Sequence, residues 1–253
     1  MNSPKHVVII SDCKDVAFNE MKWAILRECH NMGIDDVGIE LVPVHEFSII
    51  NAAFLVRLMA ECCLSGTVLS VVINPQRTRS ARIYGETIDG VKFFGANTGA
   101  LSWLLKDFDV KEIHEIRDPG FISFGGKYVH APNVAKLVAG TMFADLGVKF
   151  SPEALTDLHL KDGTIVHIDN FGLIKIKGKT PVFEDGKKLK IYKNGDYVLD
   201  ATFAKRMMSR DDGEWVLYAG SSLDSMPELG TVRYAEGFKE IDAKIGDILT
   251  WEQ

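Results

Sequence analysis

Between His6 and Gly147 the chain alternates strand-like with helix-like runs, and this alternation narrows its fold more than any other feature. "HVVIISD" (6–12) reads as a strand, "EMKWAILREC" (20–29) as an amphipathic helix and "GIELVPV" (38–44) as a strand. "IINAAFLVRLMAECC" (49–63) follows as a helix, "GTVLSVVI" (66–73) and "VKFFGANTG" (91–99) as strands, and "ALSWLLKDF" (100–108) as a helix. "NVAKLVAGTMFADLG" (133–147) is expected to be one long helix closed by Gly147. Such alternation predicts an α/β domain with a mostly parallel central sheet flanked by helices on both faces. The pattern changes after Phe150-Ser151-Pro152. From there short strand-like runs are cut by turns, among them Asp162-Gly163, Asn194-Gly195 and Asp212-Gly213. Two domains are therefore expected: α/β over 1–150, and an all-β, barrel-like or compact sandwich domain over 151–253.

A formal net charge of −6 leaves no basic footprint of the kind that binding a phosphate backbone requires, so nucleic acid is not an expected partner. Cys13, Cys29, Cys62 and Cys63 show no CxxC spacing and follow no signal-peptide pattern, which reads as a reducing cytoplasm. No stretch approaches the roughly 20 apolar residues that a membrane helix needs.

In open α/β sheets ligands bind beyond the carboxyl ends of the strands, and Asp12, Asn74 and Asn97 all fall at such ends. Taken singly, each also suits a turn or a helix cap. The seven histidines show no HxH, HxxxH or HExxH spacing, so no metal is expected. A GxSxG elbow is absent, and "SFGGKY" lacks P-loop spacing; it reads as a tight turn able to approach a ligand. His130 in "KYVHAPN" lies just before a helix, as a general base or as an ordinary hydrogen-bonded histidine. "SVVINPQRTRSAR" (70–82) starts as a buried strand and ends with Arg77, Arg79 and Arg82. One reading of this cluster is an anion pocket, a second is one arginine orienting water, and a third is a set of solvated surface arginines.

Taken in order, several segments resemble the S-adenosylmethionine hydroxide adenosyltransferase family, which includes fluorinase- and chlorinase-like enzymes. "ISDCKDVAFNEMKWAI" carries the family's Ser/Thr-Asp pair and Met-Lys; "HEFSIINAAFLV" resembles its HxIxPxDIxxAAxxL element. "GTVLSVVINP" resembles GTVxxxVVDP, "GANTG" its GPDNG turn, and "FGGKYVHAPNVAKLVAG" its FHGRDxFAPxAAxLAxG segment. "IDNFGL" and "GTVRYAEG" resemble later elements, so the likeness spans nearly the whole chain.

The resemblance implies an α/β domain, a β-barrel, and a homotrimer whose sites lie between one copy's first domain and its neighbour's second. It implies S-adenosylmethionine as a substrate, with no added cofactor: water or hydroxide attacks the ribose C5′ in line with the sulfonium, giving adenosine and methionine. Carried over by position, Asp12 matches the ribose-binding carboxylate and Asn97 the turn asparagine. Gly126 lies in the glycine turn, Asp169 and Phe171 at a polar contact and a nucleoside-packing aromatic. Ser221, Arg233 and Ala235 match positions near the methionine carboxylate and adenine edge. Phe171 equally suits a barrel core, and Arg233 a solvated strand position. The family's water-activating Asp and His positions hold Asn74 and Gly125, and its Arg position aligns with Ser80, Arg79 or Arg82. An amide cannot carry a carboxylate's charge, and glycine cannot take a proton. Asn74, Arg79, Arg82 and His130 are thus the candidate catalytic set for a hydrolase with a rebuilt water site. The alternative is a non-catalytic protein that binds S-adenosylmethionine or adenosine on the same trimeric fold.

Overall fold

Apolar runs bounded by turn residues become strands in the computed structural model, which describes residues 5–74, 80–117 and 119–252. The chain divides into two units, Met1–Leu158 and His159–Gln253. In the first, the strands are β1 (Lys5–Ser11), β2 (Val37–Pro43), β3 (Val68–Val72), β4 (Arg82–Thr87), β5 (Lys92–Ala96), β6 (Val110–Ile116) and β7 (Gly147–Lys149). The helices are α1 (Val16–Asn31), α2 (Ile49–Cys62), α3 (Ser102–Asp107), α4 (Ala131–Ala139) and α5 (Phe143–Leu146). Side chains cap the two longest: Asp15 accepts a hydrogen bond from the Ala17 amide at the start of α1, and Ser48 accepts one from the Asn51 amide at the start of α2.

The first sheet has the order β2-β1-β3-β5-β4-β6-β7. Its β2-β1-β3-β5 half is parallel, whereas β4 runs antiparallel to β5 and β6, and β7 antiparallel to β6. The sheet is therefore mixed rather than mostly parallel. The cause is local. Gly90 takes φ +84° and the Thr87 amide donates to the Val91 carbonyl, so β4, a strand absent from the sequence reading, forms a hairpin with β5. The expected long helix from Asn133 also breaks: Gly140 takes φ +80°, and the Thr141 amide donates back to the Lys136 carbonyl, closing α4 in a left-handed cap. Met21, Ile25, Val134, Leu137 and Val138 from α1 and α4 pack on Val7, Ile9, Val68 and Phe94 of the sheet.

In the second unit, β8 (Ile165–Ile168), β9 (Ile174–Ile176), β10 (Lys188–Lys193), β11 (Asp196–Phe203), β12 (Trp215–Ala219), β13 (Pro227–Thr231) and β14 (Leu249–Glu252) form one sheet; α6 (Gly237–Glu240) is a single turn. The order is β14-β10-β11-β12-β13-β9-β8, antiparallel throughout except for the β11–β12 pair. An antiparallel bridge from Thr164 to Ile248 ties the ends of the two edge strands. Asn194 (φ +53°) and Gly195 (φ +96°) make the β10–β11 turn, as that residue pair dictates. Ile165, Ile174, Ile176, Ile191, Leu217 and Leu229 alternate inward to form the core. Among the described residues no helix is long and apolar enough to cross a membrane.

Candidate functional site

Beyond the carboxyl ends of β1, β3 and β5 the first unit contains a cavity of about 570 Å³. Asn74, Arg82, Gly126 and His130, four of the residues singled out in the sequence, line it. Most of its wall is apolar, from Val71, Val72, Ile73, Ile122 and Phe124. This fits the usual ligand pocket, an apolar cleft with a few convergent polar groups. Arg79 and Arg77 lie outside the described residues.

His130 ends one turn of π-helix, Gly126–His130, that runs directly into α4. Such turns recur at functional sites because the extra residue re-aims a side chain. Only 6% of the residue is exposed, and its ring meets Phe94 edge-on at 4.7 Å between centroids. Its Nδ1 is sealed and has no hydrogen-bond partner. Burial first, and the Arg82 guanidinium second, hold its pKa down to about 3. The imidazole is therefore neutral throughout the physiological range. The π-turn sits where it does because residue 126 has no side chain: a Cβ there would lie 2.5 Å from the Met21 Sδ and 3.3 Å from a Val72 methyl. A Cβ on Gly125 would lie 3.0 Å from the Arg82 Nη2, so the guanidinium fills the space beside that glycine.

Asp12, 6% exposed at the end of β1, joins two loops. Its Oδ2 accepts the Phe47 amide at 2.9 Å, and its Oδ1 and Oδ2 share the Asn74 amide at 2.9 and 3.2 Å. Ser11 supports this corner by donating its hydroxyl to the Val72 carbonyl at 2.5 Å while accepting the Cys13 amide at 3.0 Å. Burial raises the Cys13 thiol pKa, so Cys13 is a neutral part of the cavity wall. Asn97 has a different role from a cavity ligand. Its side-chain amide donates to the Ala154 carbonyl and its Oδ1 accepts the Thr156 amide, fixing the segment beyond β7.

Ser80, aligned with the family's arginine position, and Ser123 and Phe124, within the turn expected to approach a ligand, are wall residues; Phe121 and Ile122 were missed. The available signal was the glycine punctuation on either side of "FISF", at Gly120 and at Gly125-Gly126. Phe124 takes φ +56°, a costly conformation for a bulky residue, of the kind that clusters at binding sites.

In the second unit the Asp169 Oδ1 accepts the Phe171 amide at 2.9 Å and the Leu173 amide at 3.0 Å, building a tight turn after β8. Phe171 is 65% exposed, so it is not a core aromatic. A Cβ on Gly172 would overlap the Ala235 carbonyl oxygen, which brings the Asp169 turn against Ala235. Nearby on the sheet Tyr218 donates to the Glu228 Oε2 at 2.6 Å, and Lys175 pairs with the Glu228 Oε1. Burial first and Glu228 second push the Tyr218 pKa upward. Ser221 is exposed in the turn after β12, and the Arg233 Nη1 lies 3.8 Å from Asp212 on the surface. Among the described residues no three His, Cys, Asp or Glu side chains converge as a metal site would require.

Two solved structures share the whole fold. One is an uncharacterized conserved protein from Thermotoga maritima, with a TM-score of 0.81 at 19% identity, covering 97% of this chain and 100% of that one. The other is a conserved hypothetical protein from Thermus thermophilus, with a TM-score of 0.77 at 18% identity, covering 98% of this chain and 100% of that one. No curated protein matches the chain. Residues 7–147, which contain the cavity and the Asp12 corner, match the model of the SAM hydroxide adenosyltransferase N-terminal domain, and the chain belongs to that family.

Proposed function

We propose that the protein cleaves S-adenosylmethionine by attack of water at the ribose C5′, releasing adenosine and methionine. The observation that carries this reading is the convergence of Asn74, Arg82 and a neutral His130 on one apolar-walled cavity beside Asp12. The water oxygen forms the new bond to C5′ while the C5′–sulfur pair leaves with sulfur, so no general acid is required. Asn74 and Arg82 orient the water, and the surplus proton of the attacking oxygen passes to His130. An oxonium is a far stronger acid than an imidazolium of pKa about 3, so this transfer runs downhill even to so weak a base. Apolar walls keep the remaining solvent away, and orientation supplies most of the rate. Asp12 holds the ribose hydroxyls; Asp169, Phe171, Ser221, Arg233 and Ala235 serve the adenine and methionine ends. In this reading the assembly is a homotrimer, with one copy's second unit completing another copy's cavity, and the tied sheet edges are a barrel seam.

The test is incubation with S-adenosylmethionine in 18O-labelled water, with and without chloride, followed by liquid chromatography with mass detection. Equimolar methionine and adenosine labelled at the 5′ oxygen are expected. Arg82→Gln should lower the rate about 100-fold, the usual effect of losing one charge-stabilising donor. A halogenated product, or no product, would refute the hydrolase. A second reading, a nucleoside-binding protein without chemistry, is favoured by one observation: His130 sits far below the pKa that suits a general base at neutral pH. Binding of S-adenosylmethionine without turnover would select it.

A further inference from the structure

We propose that Phe47 determines sugar specificity at this site: its amide holds the Asp12 carboxylate as a latch that only a cis-diol can displace. The proposal rests on the nucleoside reading above. An ionised carboxylate offers about four acceptor positions. Here three contacts from backbone amides already occupy the two oxygens: Phe47 on Oδ2, and Asn74 shared between Oδ1 and Oδ2. The Cys13 thiol lies 3.9 Å from Oδ1. A ribose brings two hydroxyl donors, so accommodating both requires one amide to leave.

The geometry identifies which one. Phe47 has φ +61°, in the left-handed region that a bulky side chain adopts only at a cost, and the residue is 66% exposed, so little packing holds it. Releasing its amide relaxes that strain. The Asn74 amide sits centrally between both oxygens and continues directly from the buried β3. The rest of the Phe47 loop is anchored without Asp12. The Val44 amide donates to the Ser11 carbonyl, the His45 amide to the Asn51 Oδ1, and the Ser48 amide to the His45 carbonyl. The Lys14–Glu46 ion pair spans its surface at 2.8 Å. Opening can thus be confined to one residue. A ligand shifts such an equilibrium only through its preference for the open state. A diol replaces the lost bond with two and supplies that preference; a single hydroxyl takes the one position still free and displaces no amide.

Amide hydrogen exchange by NMR, with and without saturating adenosine or 2′-deoxyadenosine, tests this, together with calorimetric titration of the wild-type protein and Phe47→Gly. Adenosine should speed exchange at Phe47 at least about tenfold while Asn74 stays protected, whereas 2′-deoxyadenosine should bind more weakly and leave Phe47 protected. Glycine adopts φ +61° freely and so stabilises the closed latch, and Phe47→Gly should bind adenosine about fivefold more weakly. A tight adenosine complex in which the Phe47 amide stays protected, or equal affinity of the glycine variant, overturns the latch. Absence of any adenosine binding overturns the nucleoside reading itself, and the latch with it.

Discussion

Acidified from pH 7 to pH 4, the protein is expected to lose about 3 kcal/mol of folding stability through His130 alone. The unfolded imidazole takes up a proton below its ordinary value of 6.5, whereas the folded one, buried against Phe94 and close to Arg82, stays neutral down to about 3. As the pH falls, the unfolded chain therefore binds this proton first and is favoured. Stability is fully present above 6.5, declines by about 1.4 kcal/mol per pH unit below it, and levels off below 3. His130→Phe keeps an aromatic ring against Phe94 and removes the titration. Urea midpoints measured from pH 8 to pH 4 should therefore diverge, the variant losing less stability on the acid side. Parallel curves would mean that the folded imidazole takes up its proton as readily as the unfolded one, and the observation that favours binding without chemistry would fall.

Gly172→Ala is expected to destabilise the second unit by about 3 kcal/mol, through backbone strain and a steric overlap together. Gly172 has φ +75°, and its missing Cβ leaves the space that the Ala235 carbonyl occupies. A carbonyl in the main chain cannot rotate aside as a side chain would, so the Asp169 turn and Ala235 must part. Gly195 supplies the control. It has φ +96° and no atom within 4 Å of where a methyl would sit, so Gly195→Ala should cost only the conformational penalty of about 1 kcal/mol. Chemical denaturation of the two variants decides the matter. Equal losses would show that the Gly172–Ala235 approach is not tight.

The alternation of apolar runs made the first unit legible because β1, α1, β2, α2 and β3 each carry a clean period and a turn at either end. The direction of β4 was not legible. "RIYGET" (82–87) was given no strand, only its Arg82 being read with the arginine cluster, and the Asp89-Gly90 turn that folds it onto β5 was passed over. Periodicity reports which face of a strand is buried, while pairing direction is set by a single glycine's φ. The helix after Asn133 failed for the same reason, at Gly140. At the site, residues just beyond strand ends were found because strand ends are visible in sequence; this covers Asp12 and Asn74. Phe121 and Ile122 were missed because a wall contributed by a loop has no period. Asn97 followed the family pattern, yet its amide is occupied by Ala154 and Thr156, a long-range pairing that no local pattern encodes.

The Thr164–Ile248 bridge bears on how so strand-rich a chain avoids sticking to itself. Sheets grow into aggregates by recruiting strands at an open edge, where a row of backbone groups waits unpaired. In the second unit the bridge pairs the residues just before the two edge strands, so the row is already engaged at that end, and β8 and β14 themselves are only four residues each. The first unit protects its margins by other means: β7 is only three residues long, and β2 turns Glu40 outward and ends on Pro43. A charge, a proline and a truncated strand each frustrate an incoming partner. Colloidal stability in this protein is thus written into the borders of its sheets, independently of the chemistry carried between them.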